Sequence, residues 1–233
     1  MKKIAIVLIC LVMVGVMSFV VSKANVSDLG KWGEYLSVVS KEKQNTGKYS
    51  VVLDGPLKDT LVDFEDVCES GKDVLITSDS IEKAEKYYVS GGVSEKKARI
   101  EAVKYVEEEQ ALYVKAIAEG YDVSEKEIDE YVNNLKDTVN NAENKEDMYK
   151  IINEFDSEDD FWDYQRVVAK TDLPIINYTK EVEKQYRKKH MNDEDVDEGW
   201  NKEYEALKQK LVKEQNYKKV KSPKDIKSDF IDK

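Results

Sequence analysis

Val123-Ser124-Glu125-Lys126-Glu127-Ile128 is the stretch whose reading decides the fold class. Ser124 and Glu127 stand three apart, so the serine hydroxyl can accept the backbone N–H of residue 127 while the glutamate reaches back to the N–H of residue 124. Val123 and Ile128 flank the pair at the spacing of a hydrophobic staple. A helix must begin there. It carries Ile128, Tyr131, Val132 and Leu135 before Asn140-Asn141 weakens the pattern.

Helix punctuation is dense on both sides of this stretch. Ser78 to Ser80 offers caps for a helix through Tyr87 and Tyr88, which Gly91-Gly92 terminates. Ser94 caps the next helix, whose apolar face reads Ile100, Val103, Val106, Gln110, Val114 and Ile117, and Gly120 ends it. Downstream, Met148, Ile151, Ile152 and Phe155 predict a short helix. Ser157 restarts the chain with Glu158, Asp159 and Asp160 in a first turn that suits the helix dipole, followed by Phe161, Trp162, Tyr164, Val167 and Val168. Pro174 suits a first helical position, with Ile175, Tyr178, Val182 and Tyr186 behind it. Val196, Trp200, Tyr204, Leu207 and Leu211 form a further stripe, and the pattern leaves open whether residues 174–216 are one helix or two broken near Asn192. The tail from Lys218 reads as frayed or as a single edge strand.

Residues 25–72 read as a small mixed α/β extension. Trp32, Tyr35, Leu36 and Val39 recur at helical spacing, Tyr49 to Leu53 is a short β-type run, and Asp54-Gly55-Pro56 signals a turn. Leu57, Leu61, Phe64 and Cys68 then suggest an amphipathic helix closed by Gly71. Val74-Leu75-Ile76 suggests a strand that could pair with residues 49–53.

The N-terminus is an export segment. Lys2 and Lys3 precede Ile4 to Val21, which holds no charged residue, and the positive-inside bias orients the chain outward. Ser22-Lys23-Ala24 offers small residues for cleavage after Ala24, which would secrete the remainder. The apolar stretch is longer than the ~7–15 residues of most signal peptides and reaches the lower edge of a membrane span, which favours a retained single-pass anchor, N-terminus inside. Cys10 follows Ile9, where a lipobox wants a small residue. The expected organisation is a signal peptide or anchor over 1–24, the extension over 25–72, an elongated multi-helix module over 73–217 and a charged tail over 218–233, mainly α in class.

The formal net charge is −11, and the three lysines of residues 1–24 leave −14 for the rest. Lys and Glu are interleaved with no basic stripe, which excludes nucleic acid as a natural partner. Cys68 stands alone outside the export segment, so no internal disulfide is expected. The single histidine, His190, lies among Arg187, Lys188 and Lys189 and reads as a solvated surface residue. Asp193, Asp195 and Asp197 have the first, third and fifth places of a calcium loop, but Glu198 stands where Gly is required and Tyr204 where Glu is required, so these are better read as solvated acids at a helix start. Neither a phosphate loop nor a nucleophile elbow is present. No catalytic residue, metal site or cofactor is expected. What remains is fourteen tyrosines and three tryptophans, residue types that serve both as helix core and as peptide-binding surface.

The order of these features resembles the N-terminal helical module of SurA/PrsA-type extracytoplasmic chaperones, related in fold to the peptide-binding part of trigger factor. It is carried by the strand Val74 to Ile76, the helix ending Tyr87-Tyr88, Gly91-Gly92, the phrase Ala116 through Gly120 to Val123-Ser124-Glu125-Lys126-Glu127-Ile128-Asp129, and the acidic aromatic start Ser157 to Tyr164. It covers roughly residues 73–217. The resemblance implies helices that cradle unfolded or extended exported polypeptides without ATP. A parvulin isomerase domain is not implied, since the residues after Tyr178 read as helix and lack paired histidines. From aromatic character, Tyr113, Trp162, Tyr164, Trp200 and Tyr204 are the candidate peptide-binding residues. The alternative is an envelope scaffold or adaptor with one dedicated partner. A groove lined by Trp162 or Trp200 favours the chaperone; burial of both indoles favours the scaffold.

Overall fold

A computed structural model of the chain describes residues 29–42, 50–52, 61–63, 66–191, 193, 195–222 and 225. The elements in order are α1 (Leu29–Glu42), β1 (Ser50–Val52), β2 (Leu61–Asp63), β3 (Val67–Ser70), β4 (Leu75–Thr77), α2 (Ser78–Ser90), α3 (Glu95–Ala118), α4 (Glu125–Asn141), α5 (Lys145–Ile152), α6 (Glu158–Lys189), α7 (Val196–Gln215) and β5 (Lys218–Lys219). The class is mainly α with a small sheet, as expected. The export segment lies outside the described residues, and among those described no helix is long and apolar enough to cross a membrane.

The helix starts follow local chemistry. Ser124 caps α4 with both halves of the capping box in place: its Oγ accepts the Glu127 N–H at 3.3 Å, and its own N–H donates to Glu127 Oε2 at 2.8 Å. Ile128, Val132, Leu135 and Val139 then form the buried face. Ser157 caps α6 by accepting the Asp160 N–H at 3.1 Å. Two glycines end helices in the left-handed region that side chains avoid, Gly92 at φ 85° and Gly120 at φ 84°. Asn216 takes the same role after α7 at φ 52°.

Several expectations are corrected. The helix read from Leu57 to Cys68 is not formed, because residues 61–63 and 67–70 are strands. Its three-and-four spacing was coincidental, and β3 gains its hydrogen bonds from β4 and from β5, which no local period reports. The strand at Leu75–Thr77 pairs with β3 rather than with residues 49–53, whose partner is β2, with Val51 opposite Val62. Pro174 lies inside α6 rather than at a helix start. The open question over residues 174–216 resolves into two helices, α6 ending at Lys189 and α7 starting at Val196. On α3, Ile100 is 63% exposed while Ala98 and Ala102 are fully buried. A reading weighted by side-chain size missed the alanines, whose short side chains let another element approach closely.

The chain divides into two compact units, both discontinuous in sequence. The first takes in the described residues of Met1–Asn45, Glu82–Ala102 and Val123–Leu173; the second takes in those of Thr46–Ile81, Val103–Asp122 and Pro174–Lys233. The expected extension over 25–72 is thus shared between them. In the first unit α1 packs along α5 so closely that Gly33 leaves no room for a side chain. Trp32 stacks near Tyr87 of α2 with ring centres 5.5 Å apart, and the Tyr35 hydroxyl donates to the Lys83 carbonyl. Lys41 pairs with Asp156 at 2.8 Å. In the second unit one sheet runs β4-β3-β5, all antiparallel, and β1 with β2 forms another. A separate core there joins Ala111, Leu112 and Ala116 of α3 to Ile175 and Tyr178 of α6 and Leu211 of α7.

Candidate functional site

The five candidate aromatics do not come together in one unit. Trp162 and Tyr164 belong to the first, Tyr113, Trp200 and Tyr204 to the second. Residues 161–164 open α6, so successive side chains splay around the helix and three of them, Phe161, Trp162 and Tyr164, turn inward. Trp162 is 6% exposed and its ring meets Phe161 edge-on at 4.8 Å. Its indole N–H donates to Glu158 Oε1 at 2.9 Å, one turn earlier on the same helix. Lys136 of α4 closes the arrangement, with its ammonium 5.5 Å from the indole centre and 3.7 Å from the Glu158 carboxylate. Tyr164 is buried against Phe155. The polar edge of Trp162 that would greet a peptide is therefore already satisfied within the unit.

In the second unit an aromatic ladder ties the end of α6 to the start of α7. His190 stacks on Tyr186 at 4.3 Å, Tyr186 meets Trp200 at 5.8 Å, and Trp200 stacks on Tyr204 at 5.6 Å. Trp200 is 8% exposed. His190 Nδ1 lies 2.7 Å from Asp193 Oδ2, so this histidine, read from sequence as simply solvated, is half-covered and held by a carboxylate. A side chain at Gly199 would meet the Tyr186 hydroxyl, which would have to move aside. Lys208 extends the ladder, its ammonium 5.3 Å from the Tyr204 ring centre. Tyr204 and Tyr113 are half-buried against the unit's apolar core, and burial pushes both phenols above their ordinary range.

Two charged clusters in the second unit escaped the sequence reading. Lys208 is buried, with Nζ 3.0 Å from Glu108 and 2.7 Å from Glu205. Burial opposes its charge, yet the hydrogen bonds it donates to Glu205 and Glu108 hold the ammonium above its ordinary value. The available signal was a lysine in register with an otherwise apolar stripe, four residues after Tyr204 and three before Leu211. The second cluster joins Glu69 of β3, Glu107 of α3 and Lys219 of β5. Glu69 is only 2% exposed and pairs with Lys219. Glu107 is pushed up to about 7 by burial, then by the neighbouring Glu69 carboxyl. Beside it the Cys68 thiol is raised, chiefly by burial, which makes it a poor nucleophile.

Asp193, Asp195, Asp197 and Glu198 are exposed around the start of α7, as solvated acids should be. Among the described residues no group of three or more histidine, cysteine or acidic side chains is placed to hold a metal ion. Among the described residues of the first unit, the large apolar side chains left exposed are Val38, Val89, Ile100 and Val167, one on each of four helices. Compared with known proteins, the chain matches no family model, no curated protein and no solved structure.

Proposed function

We propose that this chain is a non-catalytic helical adaptor, working on the outer side of the cell membrane, that docks one dedicated protein partner. The observation that carries this reading is the engagement of the candidate aromatics: Trp162, Tyr164 and Trp200 are buried within their own units, and Tyr113 and Tyr204 pack against a core. A promiscuous client surface needs apolar area that is free to meet many sequences, and these residues have spent theirs on the fold. The outer location rests on the basic-then-apolar pattern of Met1 to Val21, and the acidic charge of the remainder argues against nucleic acid and anionic lipid.

A second reading is an ATP-independent chaperone of the SurA/PrsA kind. The succession of β4, α2, the Gly120 end of α3, the boxed start of α4 and the acidic start of α6 is what this reading rests on, since the sequence resemblance is built on those same features. Val38, Val89, Ile100 and Val167 are the apolar side chains such a chaperone would offer in the first unit.

Aggregation assays separate the two. Several unrelated denatured proteins are diluted into buffer with an equimolar amount of the chain, and light scattering is followed. The adaptor reading expects scattering unchanged for all of them. Suppression for most would replace it with the chaperone reading.

A further inference from the structure

The interleaving of Lys with Glu breaks down in one place. Residues 208–221 hold six lysines against a single carboxylate, Glu214, in a chain whose net charge is −11. Lys208 is buried and paired with Glu108 and Glu205, Lys219 is paired with Glu69, and Lys210 lies 3.8 Å from Glu214. Lys213, Lys218 and Lys221 are exposed and meet no carboxylate of the described residues. Two of these unbalanced cations, Lys218 and Lys221, stand in β5 or just beyond it.

That strand is also an open edge. The order β4-β3-β5 leaves one side of β5 without a strand among the described residues. Lys219 stands opposite Glu69, and the Val220 N–H donates to the Cys68 carbonyl at 2.8 Å. Backbone groups of successive residues point to opposite sides of an antiparallel strand, so with Val220 facing β3 the N–H and carbonyl of Lys219 face outward. The strand is held from within its own unit. The Tyr217 hydroxyl donates to the Glu107 carbonyl at 2.9 Å, and the Gln215 carbonyl accepts the Lys72 N–H at 2.8 Å. The edge thus offers a fixed backbone donor and acceptor set among positive charges.

A second copy of the chain suits this edge badly, because two β5 edges would bring lysine against lysine. An anionic membrane would answer the charge but not the backbone groups, and it would repel the acidic remainder of the surface. An extended acidic segment answers both. We propose that the open side of β5 docks an extended, acidic segment of a partner protein, which adds to the sheet as a strand and sets its carboxylates against Lys218 and Lys221. The proposal rests on the adaptor reading and deepens it by giving the partner its chemistry.

The test uses the full chain and a fluorescein-labelled peptide made of the unit Val-Glu-Glu-Thr repeated three times, read by fluorescence anisotropy. Beside it stand the same peptide with N-methylated backbone amides, a version with Lys in place of Glu, and vesicles of phosphatidylglycerol. The acidic peptide is expected to bind. Its affinity should fall roughly tenfold when Lys218→Glu and Lys221→Glu are combined, since two exposed ion pairs become repulsions. The N-methylated and Lys peptides should bind far more weakly. In amide hydrogen exchange, the Lys219 N–H should gain protection when the acidic peptide is added. Absence of binding overturns the proposal and leaves the lysines as a guard against edge-to-edge pairing. Equal binding of the N-methylated peptide, or an unchanged Lys219 amide, overturns it by reducing the contact to bare charge. Binding of the vesicles without binding of the peptide overturns it in favour of a lipid contact. The adaptor reading fails separately, on suppression of light scattering.

Discussion

At Gly33 a methyl group would sit 2.6 Å from the carbonyl oxygen of Ile151 and 2.8 Å from its Cα, both backbone atoms of α5 that cannot step aside. Alanine favours a helix over glycine by about 1 kcal/mol, so local preference alone would make Gly33→Ala stabilising. Packing opposes it: overfilling a tight contact costs about 1–3 kcal/mol, and here the obstacle is main chain. Gly33→Ala should therefore lower the urea midpoint of the folded chain. An unchanged or raised midpoint would mean that α1 and α5 do not approach this closely. Nothing in the sequence announces the role of Gly33. A glycine in a helical pattern reads as a weak point, and only the neighbour it admits turns it into a requirement. Glu108 and Lys208 were equally hidden, because each charge looks solvated until the other is placed beside it. The five aromatics were legible as residues that matter, but composition could not tell core from surface.

Between residue and fold, helix boundaries were the most readable feature, since caps and terminators act within a few residues of one another. Ser124 and Glu127 predict the start of α4, Gly91-Gly92 and Gly120 the ends of α2 and α3, and the described structure forms all of them. Ser124→Ala removes the acceptor for the Glu127 N–H and frees the Glu127 carboxylate, which those serine hydrogen bonds hold below its ordinary range. A loss of about 1 kcal/mol is expected in chemical unfolding, with the helix otherwise intact by circular dichroism. A variant as stable as the native chain would show that tertiary contacts, not the cap, fix where α4 begins. Strand pairing was not readable, and the reason is range. β3 is completed by β5, and its partner lies some 150 positions away, so the period of residues 57–68 was free to mimic a helix. Pro174 misled in the opposite direction: proline ends most helices, yet α6 continues from Leu173 through Pro174 to Lys189 without its amide.

For the whole molecule, acid and alkali should act through different residues. Glu125, Glu127, Glu181 and Glu198 are held below the ordinary carboxylate range, chiefly by hydrogen bonds from Lys170, Ser124, Lys184 and Lys202 respectively. Their stabilisation is complete above the unfolded value near 4.5 and fades as pH falls through their folded values. Glu107 has the opposite sign. Its folded value of about 7 exceeds the unfolded 4.5, so between these limits the folded chain keeps a proton that the unfolded chain has released. Its contribution is greatest below pH 4.5, declines as pH rises and is gone above 7. The net charge of −11 adds a repulsion that also grows in this direction. The urea midpoint is expected to fall between pH 5.5 and 8 in the native chain and to fall less in Glu107→Gln, whose side chain does not titrate. The difference between the two slopes belongs to Glu107, while the slope they share belongs to the acidic surface. Equal slopes would return all of the pH dependence to the surface and leave Glu107 as an ordinary solvated acid.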